Sequence, residues 1–364
     1  MGTKIMSGDA RKDVSIIFFT KDRSKKLKQN ISWHDDSSFP IYIVDASERE
    51  FEDLDEISAG ITYIHMPNAS FFERAKKVES VLFTDYYVIC ADDDFLLPSA
   101  IIEITNYLIE NRDKNLACAQ GRYMLFDRDA FYPKKVYGHC YSMYDSLHIQ
   151  DDSALRRLLI LNSYPIFHFP YAICRKDVIK TFNRIVIDLE KSTKNSIIAH
   201  ALFEPLMGIA VAISGNYSSV NHPYVVRRPG KPWTNTTSEI FLSDEQYSNL
   251  QNILIKNISQ LEDFEKLDNG FTCGYLRSVI DSYCNAEKKR LAFKVRKNTS
   301  SNSESFFNIL KALAIRLFLK IEKPFTRFNI DQSFFDYDRE VYKLARLEVF
   351  ALFRFLKNYK KINS

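Results

Sequence analysis

No uninterrupted apolar run in this sequence comes near the roughly 18 residues that a membrane-spanning helix requires, so a helical span is not expected. The opening stretch, Met1 to Asp9, lacks the apolar core of a secretory signal, and the chain reads as cytoplasmic. Cysteine is scattered. Cys90, Cys118, Cys140, Cys174, Cys273 and Cys284 form no C-x-x-C pair, which removes zinc-ribbon and dithiol redox chemistry and leaves buried or incidental thiols. No glycine stands in Thr20-Lys21-Asp22-Arg23, the loop after the first hydrophobic segment, so a glycine-rich phosphate cradle is missing there. There is no internal repeat.

What is present is a chain of 364 residues, 46% hydrophobic, long enough for one large domain and a smaller one. Its formal net charge of +4 hides an asymmetry: residues 288 to 364 hold 18 Lys and Arg against 7 Asp and Glu, and residues 1 to 287 hold 32 against 39. A basic C-terminal end suits an anionic partner, membrane lipid or nucleic acid, or is an ordinary solvated helical surface.

Short β-branched or aromatic runs at Val14 to Phe19, Ile41 to Val44, Thr62 to His65 and Tyr86 to Ala91 have strand character. Helical stretches follow them: a Lys-rich one after Arg23, then Arg49 to Ser58, Phe71 to Phe83, and Ser99 to Asn111 with Pro98 in its first turn. This alternation predicts an α/β fold with a mostly parallel central sheet flanked by helices. Functional loops in such sheets lie at the carboxyl ends of strands. Thr20 to Arg23, Asp45 to Glu48 and Asp92 to Asp94 should therefore share one edge. Between about Asn115 and Arg228 the pattern is mixed, with strands at Leu116 to Ala119 and Tyr171 to Cys174 and helices near Ser153 to Leu161 and Ile197 to Ile213. Beyond about Ser238 it is chiefly helical, broken by the polar run 297–303.

Asp92-Asp93-Asp94 places three like charges side by side after an apolar strand, an arrangement that a cation would relieve. If the segment stays extended, Asp92 and Asp94 project to one side and can share a hard ion such as Mg2+ or Mn2+. The same residues could be a solvated acidic loop or cap the next helix.

These segments resemble GT-A-fold glycosyltransferases of the family 2 type over roughly the first 110 residues. Val14 to Leu27 is similar to their first strand and loop, Ile43 to Ser47 to the second strand with its terminal acid, and Asn68 to Arg74, with Lys76 and Lys77, to the segment before the metal motif. Tyr87 to Pro98 is similar to their Asp-x-Asp motif and its following proline. The resemblance implies a Rossmann-like GT-A domain at 1–238, with a nucleotide-sugar half at about 13–112, an acceptor half at about 113–238, and a helical region at 239–364. It implies that Thr20, Arg23, Asp45, Arg74 and Asp92 bind the nucleotide-sugar and that Asp92 and Asp94 bind Mg2+ or Mn2+. Arg23 and Arg74 could instead be solvent-facing helix residues and Asp45 a turn residue. The first loop departs from the family, with Phe19-Thr20-Lys21 where proline and small polar residues are usual.

Transfer to an acceptor hydroxyl needs a base, and Glu204, on an apolar stretch ahead of Pro205, is the first candidate. It could equally be a helix N-terminal carboxylate. Asp151 and Asp152 are second candidates or helix caps. Asn221 to Trp233 reads as a turn-rich loop in which His222 could ligate the ion, or be structural, while Arg227 and Arg228 hold phosphate. Tyr224 and Trp233 could stack on a sugar or fill the core.

In 306–322 apolar residues recur at helical spacing among Lys and Arg. This basic amphipathic helix could lie on the inner face of a membrane near a lipid-linked glycan acceptor, or pack on its own domain, with Val341 to Phe355 as partner, or on a second copy of the chain. The family habit points to bacterial surface polysaccharide synthesis, with no nucleic acid partner expected. A sugar nucleotidyltransferase and a non-catalytic carbohydrate binder are the competing classes. Removing Asp94 should abolish transfer and, by relieving repulsion, leave the fold intact.

Overall fold

The computed structural model describes residues 10–52, 60–126, 136–140, 147–162, 171–189 and 196–228, with parts of 249–261 and 347–356. Residues 297–303, 306–322 and Trp233, and most of the helix expected at Arg49 to Ser58, lie outside them. Residues 49–52 of that helix are described and are not helical.

The strands are β1 (Val14–Thr20), β2 (Ile41–Asp45), β3 (Ile61–His65), β4 (Tyr86–Ala91), β5 (Phe95–Leu96), β6 (Leu116–Phe126), β7 (Val136–Cys140), β8 (His148–Ile149), β9 (Ile173–Arg175) and β10 (Asn216–Arg227). The helices are α1 (Ser24–His34), α2 (Phe71–Val81), α3 (Pro98–Glu110), α4 (Ala154–Asn162), α5 (Lys176–Val186) and α6 (Ser196–Ser214). One sheet runs in the order β3-β2-β1-β4-β9-β6-β10-β5, with β7 on β6 and β8 on β10. Strands β1 to β4 are parallel, and antiparallel β9 joins β4 to β6, which pairs in parallel with β10. Six strands on the main path therefore point the same way, as the alternation predicts.

Helices cover both faces, and β1 shows how. Its seven residues are all buried; Ile17 and Phe19 enter one core with α2, α5 and α6, while Val14, Ile16 and Phe18 enter the other with α1 and α3. Helix α2 starts on a capping box, in which Ser70 and Glu73 satisfy each other's backbone N–H. Helix α5 buries Val178, Ile179, Phe182, Ile185 and Val186, an apolar stripe at helical spacing. The far C-terminal residues join these cores: Leu254, Ile258 and Leu261 pack in the first, Val349, Leu352 and Leu356 in the second. Glu348 accepts hydrogen bonds from Ser99 N (2.9 Å) and Oγ (2.7 Å) in the first turn of α3.

Residues 221–227 of the loop expected from Asn221 to Trp233 instead form the second half of a twelve-residue strand, and 229–233 lie outside the described residues. Proline at 223 argues against a central strand, but it stands between two register shifts against β6, where the ladder needs no regular donor. Buried Tyr224, Val225 and Val226 then carry the strand on to Arg227. Strand β6 is likewise longer than its expected four residues.

Candidate active site: a charge-paired aspartate turn

Register aligns the carboxyl ends of the parallel strands: Thr20 lies beside Asp45, Asp45 beside His65, and Phe19 beside Ala91. Ala46 N bonds Thr20 O (2.9 Å), Met66 N bonds Asp45 O (2.7 Å) and Asn68 N bonds Ala46 O (2.9 Å), so the loops are sewn together at one edge. The expected polar clusters do meet there.

The three aspartates do not continue the strand. Asp94 N bonds back to Ala91 O (3.2 Å), making a turn, so the alternation that would put Asp92 and Asp94 on one side does not apply. Asp92 takes Thr20 Oγ1 (2.8 Å) on one oxygen and Arg23 Nη1 (2.6 Å) on the other. Asp93 Oδ2 takes Arg23 Nη2 (2.5 Å) and Lys26 Nζ (2.8 Å). Asp94 turns towards β9 and β10, where it accepts from Tyr171 Oη (2.5 Å), Arg227 Nε (3.0 Å) and the backbone N of Arg228 (2.8 Å).

Burial pushes the Asp92 pKa up to about 6 despite Arg23. It also raises Asp94, against the pull of Arg227. Burial acts the same way on Asp93, but Arg23 and Lys26 outweigh it and hold that carboxyl below its usual range.

Helix α1 braces the turn with one face. Lys26 reaches Asp93, Gln29 accepts from Arg228, Asn30 donates to the carbonyls of Ala91 (3.3 Å) and Asp94, and Trp33 Nε1 donates to Leu96 O (2.9 Å). Positions 26, 29, 30 and 33 follow the helical repeat. That spacing was legible, but a Lys-rich segment reads as solvated. Tyr171 was also missed, and nothing in its neighbourhood of the sequence marks it.

The other candidates fall as follows. Arg74 is 4% exposed, with its guanidinium 4.1 Å from the Phe71 ring centroid and 5.2 Å from that of Phe19, and it donates to Thr20 O (3.2 Å). It is no solvent-facing residue; burial lowers its pKa to about 10 against Asp45 and Asp92. Asp45 lies at the edge, but its oxygens are taken by Ser47 N (2.8 Å), Ser47 Oγ (2.5 Å) and Tyr63 Oη (2.8 Å), which makes it a turn residue of the β2 loop. Arg227 carries its guanidinium 5.3 Å from the Tyr171 ring centroid, and Arg228 is buried with its own 4.9 Å from that of Phe95. His222 is not brought to the aspartates. It lies five residues before Arg227 on β10, on the order of 15 Å of strand, with Nδ1 by Pro223 O (2.8 Å) and Glu103 of α3 as the charged group acting on it.

Glu204 is exposed in the middle of the 19-residue α6, so it is not a helix N-terminal carboxylate. Its neighbour Phe203 packs on Phe19 (5.8 Å) and Phe71 (5.0 Å) under the same edge. The field of Glu204 adds to burial in raising the phenol of Tyr123, which stands edge-on to Tyr171 at 5.8 Å. Glu204 thus lies on the helix that carries Phe203 against Phe19 and Phe71. Asp151 accepts from Ser153 N (2.8 Å) ahead of α4, a turn role.

Carboxylate oxygens suit a hard divalent ion. Among the described residues, however, no three His, Cys, Asp or Glu side chains are arranged to hold one. Asp92 and Asp93 fit only once Arg23 and Lys26 release them; Asp94 is bound from three directions. Also among the described residues, no helix is long and apolar enough to cross a membrane.

No family model and no curated protein sequence matches the chain. Among solved structures it is similar to S. aureus TarS, with 11% identity and a TM-score of 0.49 over 74% of this chain and 43% of that one. It is also similar to S. aureus TarS 1-349 in complex with UDP-GlcNAc (10% identity, TM-score 0.49, 74% and 72% of the two chains) and with UDP (11%, 0.47, 74% and 71%). The chain spans less than half the length of the first. Likeness at this level concerns the course of the backbone; the chemistry rests on the side chains described above.

Proposed function

We propose that the chain is a glycosyltransferase that moves a sugar from a nucleoside-diphosphate donor to a hydroxyl of a glycan or lipid-linked glycan acceptor, in surface polysaccharide synthesis. The observation that carries this reading is the pairing of Arg23 and Lys26 with an acidic turn at the carboxyl ends of β1 and β4, where ligands of open α/β sheets bind. Arg23 presents two parallel donors that suit phosphate oxygens as well as carboxylates. Arg227, 23% exposed, adds a cation on the far side of the turn. Buried Arg74 places a fixed positive charge beneath the β1 loop, next to the nucleotide. Mg2+ or Mn2+ held by the aspartates would offset charge on the diphosphate as the glycosidic bond to it breaks. Glu204 accepts the proton of the acceptor hydroxyl. The loop Thr20 to Arg23, without glycine, weighs against the nucleotidyltransferase reading.

Calorimetric titration of nucleoside diphosphates and their sugar conjugates, with and without Mn2+, tests this. One base should bind, and Asp92→Asn should weaken it at least about tenfold, a loss of about 1.4 kcal/mol. Absence of binding by every nucleotide at millimolar concentration to the folded protein would reject the reading.

A further inference from the structure

Exposure around the aspartate turn has a direction. The Asp92 and Asp93 side chains are 2% and 13% exposed, while those of Arg23 and Lys26, which lie across them, are 26% and 35% exposed. The acids are inside and the cations outside. A bare divalent ion arriving from solvent meets a guanidinium and an ammonium first, with the carboxylates that would bind it covered. A diphosphate meets the same cations as an attractive surface. Arg23 spends one Nη on each of two adjacent carboxylates, a two-pronged grip that it can transfer to two oxygens of a phosphate.

We infer that Arg23 and Lys26 are stored on Asp92 and Asp93 and exchange them for the donor's diphosphate, so that divalent-metal binding depends on donor binding. The inference rests on the glycosyltransferase reading and adds to it a coupling between two ligands. Once Arg23 and Lys26 both leave, buried Asp92 and half-buried Asp93 are neighbouring carboxylates that have lost their paired cations, a state that a divalent cation stabilises. Metal and diphosphate therefore favour one another, and by linkage the effect is reciprocal. Asp94 takes no part in the exchange, since Tyr171, Arg227 and the Arg228 backbone hold it independently of Arg23. Arg23 can move alone because it precedes α1 and makes no side-chain cap bond to it, whereas Lys26 pivots from the first turn of a helix anchored by Asn30 and Trp33.

The test is Mn2+ binding to the full chain without nucleotide, read from the free-Mn2+ resonance signal and from the rise in melting temperature with Mn2+. Arg23→Gln should bind Mn2+ about tenfold more tightly than the natural protein, within the range usual for coupled sites. Arg23→Lys, which keeps the charge but can hold only one carboxylate, should fall between them and serves if the Gln variant does not fold. Equal or weaker Mn2+ binding in both variants overturns the inference while leaving the metal site standing. Failure of Mn2+ to bind any of the three proteins, with UDP, GDP or ADP present or absent, overturns the inference together with the metal part of the proposed function.

Discussion

Tyr171 donates its hydroxyl to Asp94 at 2.5 Å, and the pair lies deeply buried between β9 and the aspartate turn. Asp94 is therefore held as a structural acceptor as well as an acid. The expectation that its removal relieves repulsion and spares the fold does not survive this. Asp94→Ala should lower stability by about 3 kcal/mol, near the lower end for stripping the partner from a buried charge, because Arg227 keeps some contact with water. Asp94→Asn, which retains an acceptor, should cost clearly less. Urea midpoints of the two variants decide it, and equal midpoints would refute the structural role.

His34 is 1% exposed, neither ring nitrogen has a hydrogen-bond partner among the described residues, and burial lowers its pKa from 6.5 to about 3. The folded protein thus keeps His34 neutral while the unfolded chain takes up a proton below pH 6.5. Stability falls as pH drops from 6.5 towards 3, by about 1.4 kcal/mol per unit from this group. His34→Leu should remove that one-proton slope, so that between pH 7 and pH 5 the natural protein loses about 2 kcal/mol more than the variant. Parallel losses in urea titrations at the two pH values would show that the proton goes elsewhere.

Gly121 lies on β6 beside a register shift against β10. A Cβ there would overlap Tyr224 Cβ and stand 2.6 Å from His222 O, a backbone atom that cannot swing away. Gly121→Ala should cost about 2 to 3 kcal/mol, the upper range for overpacking. Thermal melting measures it, and an unchanged midpoint would mean that the two strands part freely.

Glu348 satisfies both donors of Ser99, and burial raises its pKa against those bonds. Glu348→Ala should cost about 1 to 2 kcal/mol, as loss of a helix cap does. Because α3 begins directly behind the aspartate turn, weaker nucleotide binding should accompany it. Calorimetry on the variant tests that link.

How far the sequence alone could go follows from the range of each interaction. The parallel strands and their order of loops were legible because β1 to β4 are locally patterned, and with them the position of Thr20, Arg23 and Asp92 at one edge, Thr20 ending β1, Asp92 following β4 and Arg23 preceding α1; their binding roles belong to the proposal. The split between Asp92 and Asp94 was not, since it depends on a turn held by partners distant in sequence, among them Tyr171 and Arg227, 77 and 133 residues from Asp94. Arg74 could be read as either exposed or functional; its burial depends on Phe19 of β1 arriving against helix α2. His222 was misplaced because the proline and glycine around it suggested a loop, whereas paired register shifts absorb Pro223 within a strand. That apolar residues near 254 and 352 pack into the two cores was equally out of reach, because those contacts join segments far apart in the chain.

Strand β10 enters the sheet between β6 and β5 and delivers Arg227 and Arg228 to a turn made far earlier in the chain. During synthesis the aspartates emerge long before those arginines, and Asp94 must wait with neither its guanidinium nor its backbone donor. Non-local pairing of this kind forms late, after the loop-closure cost is met. A nascent chain that has already folded its first four strands therefore still lacks the completed aspartate turn, and on the proposed function donor binding waits until β10 has docked.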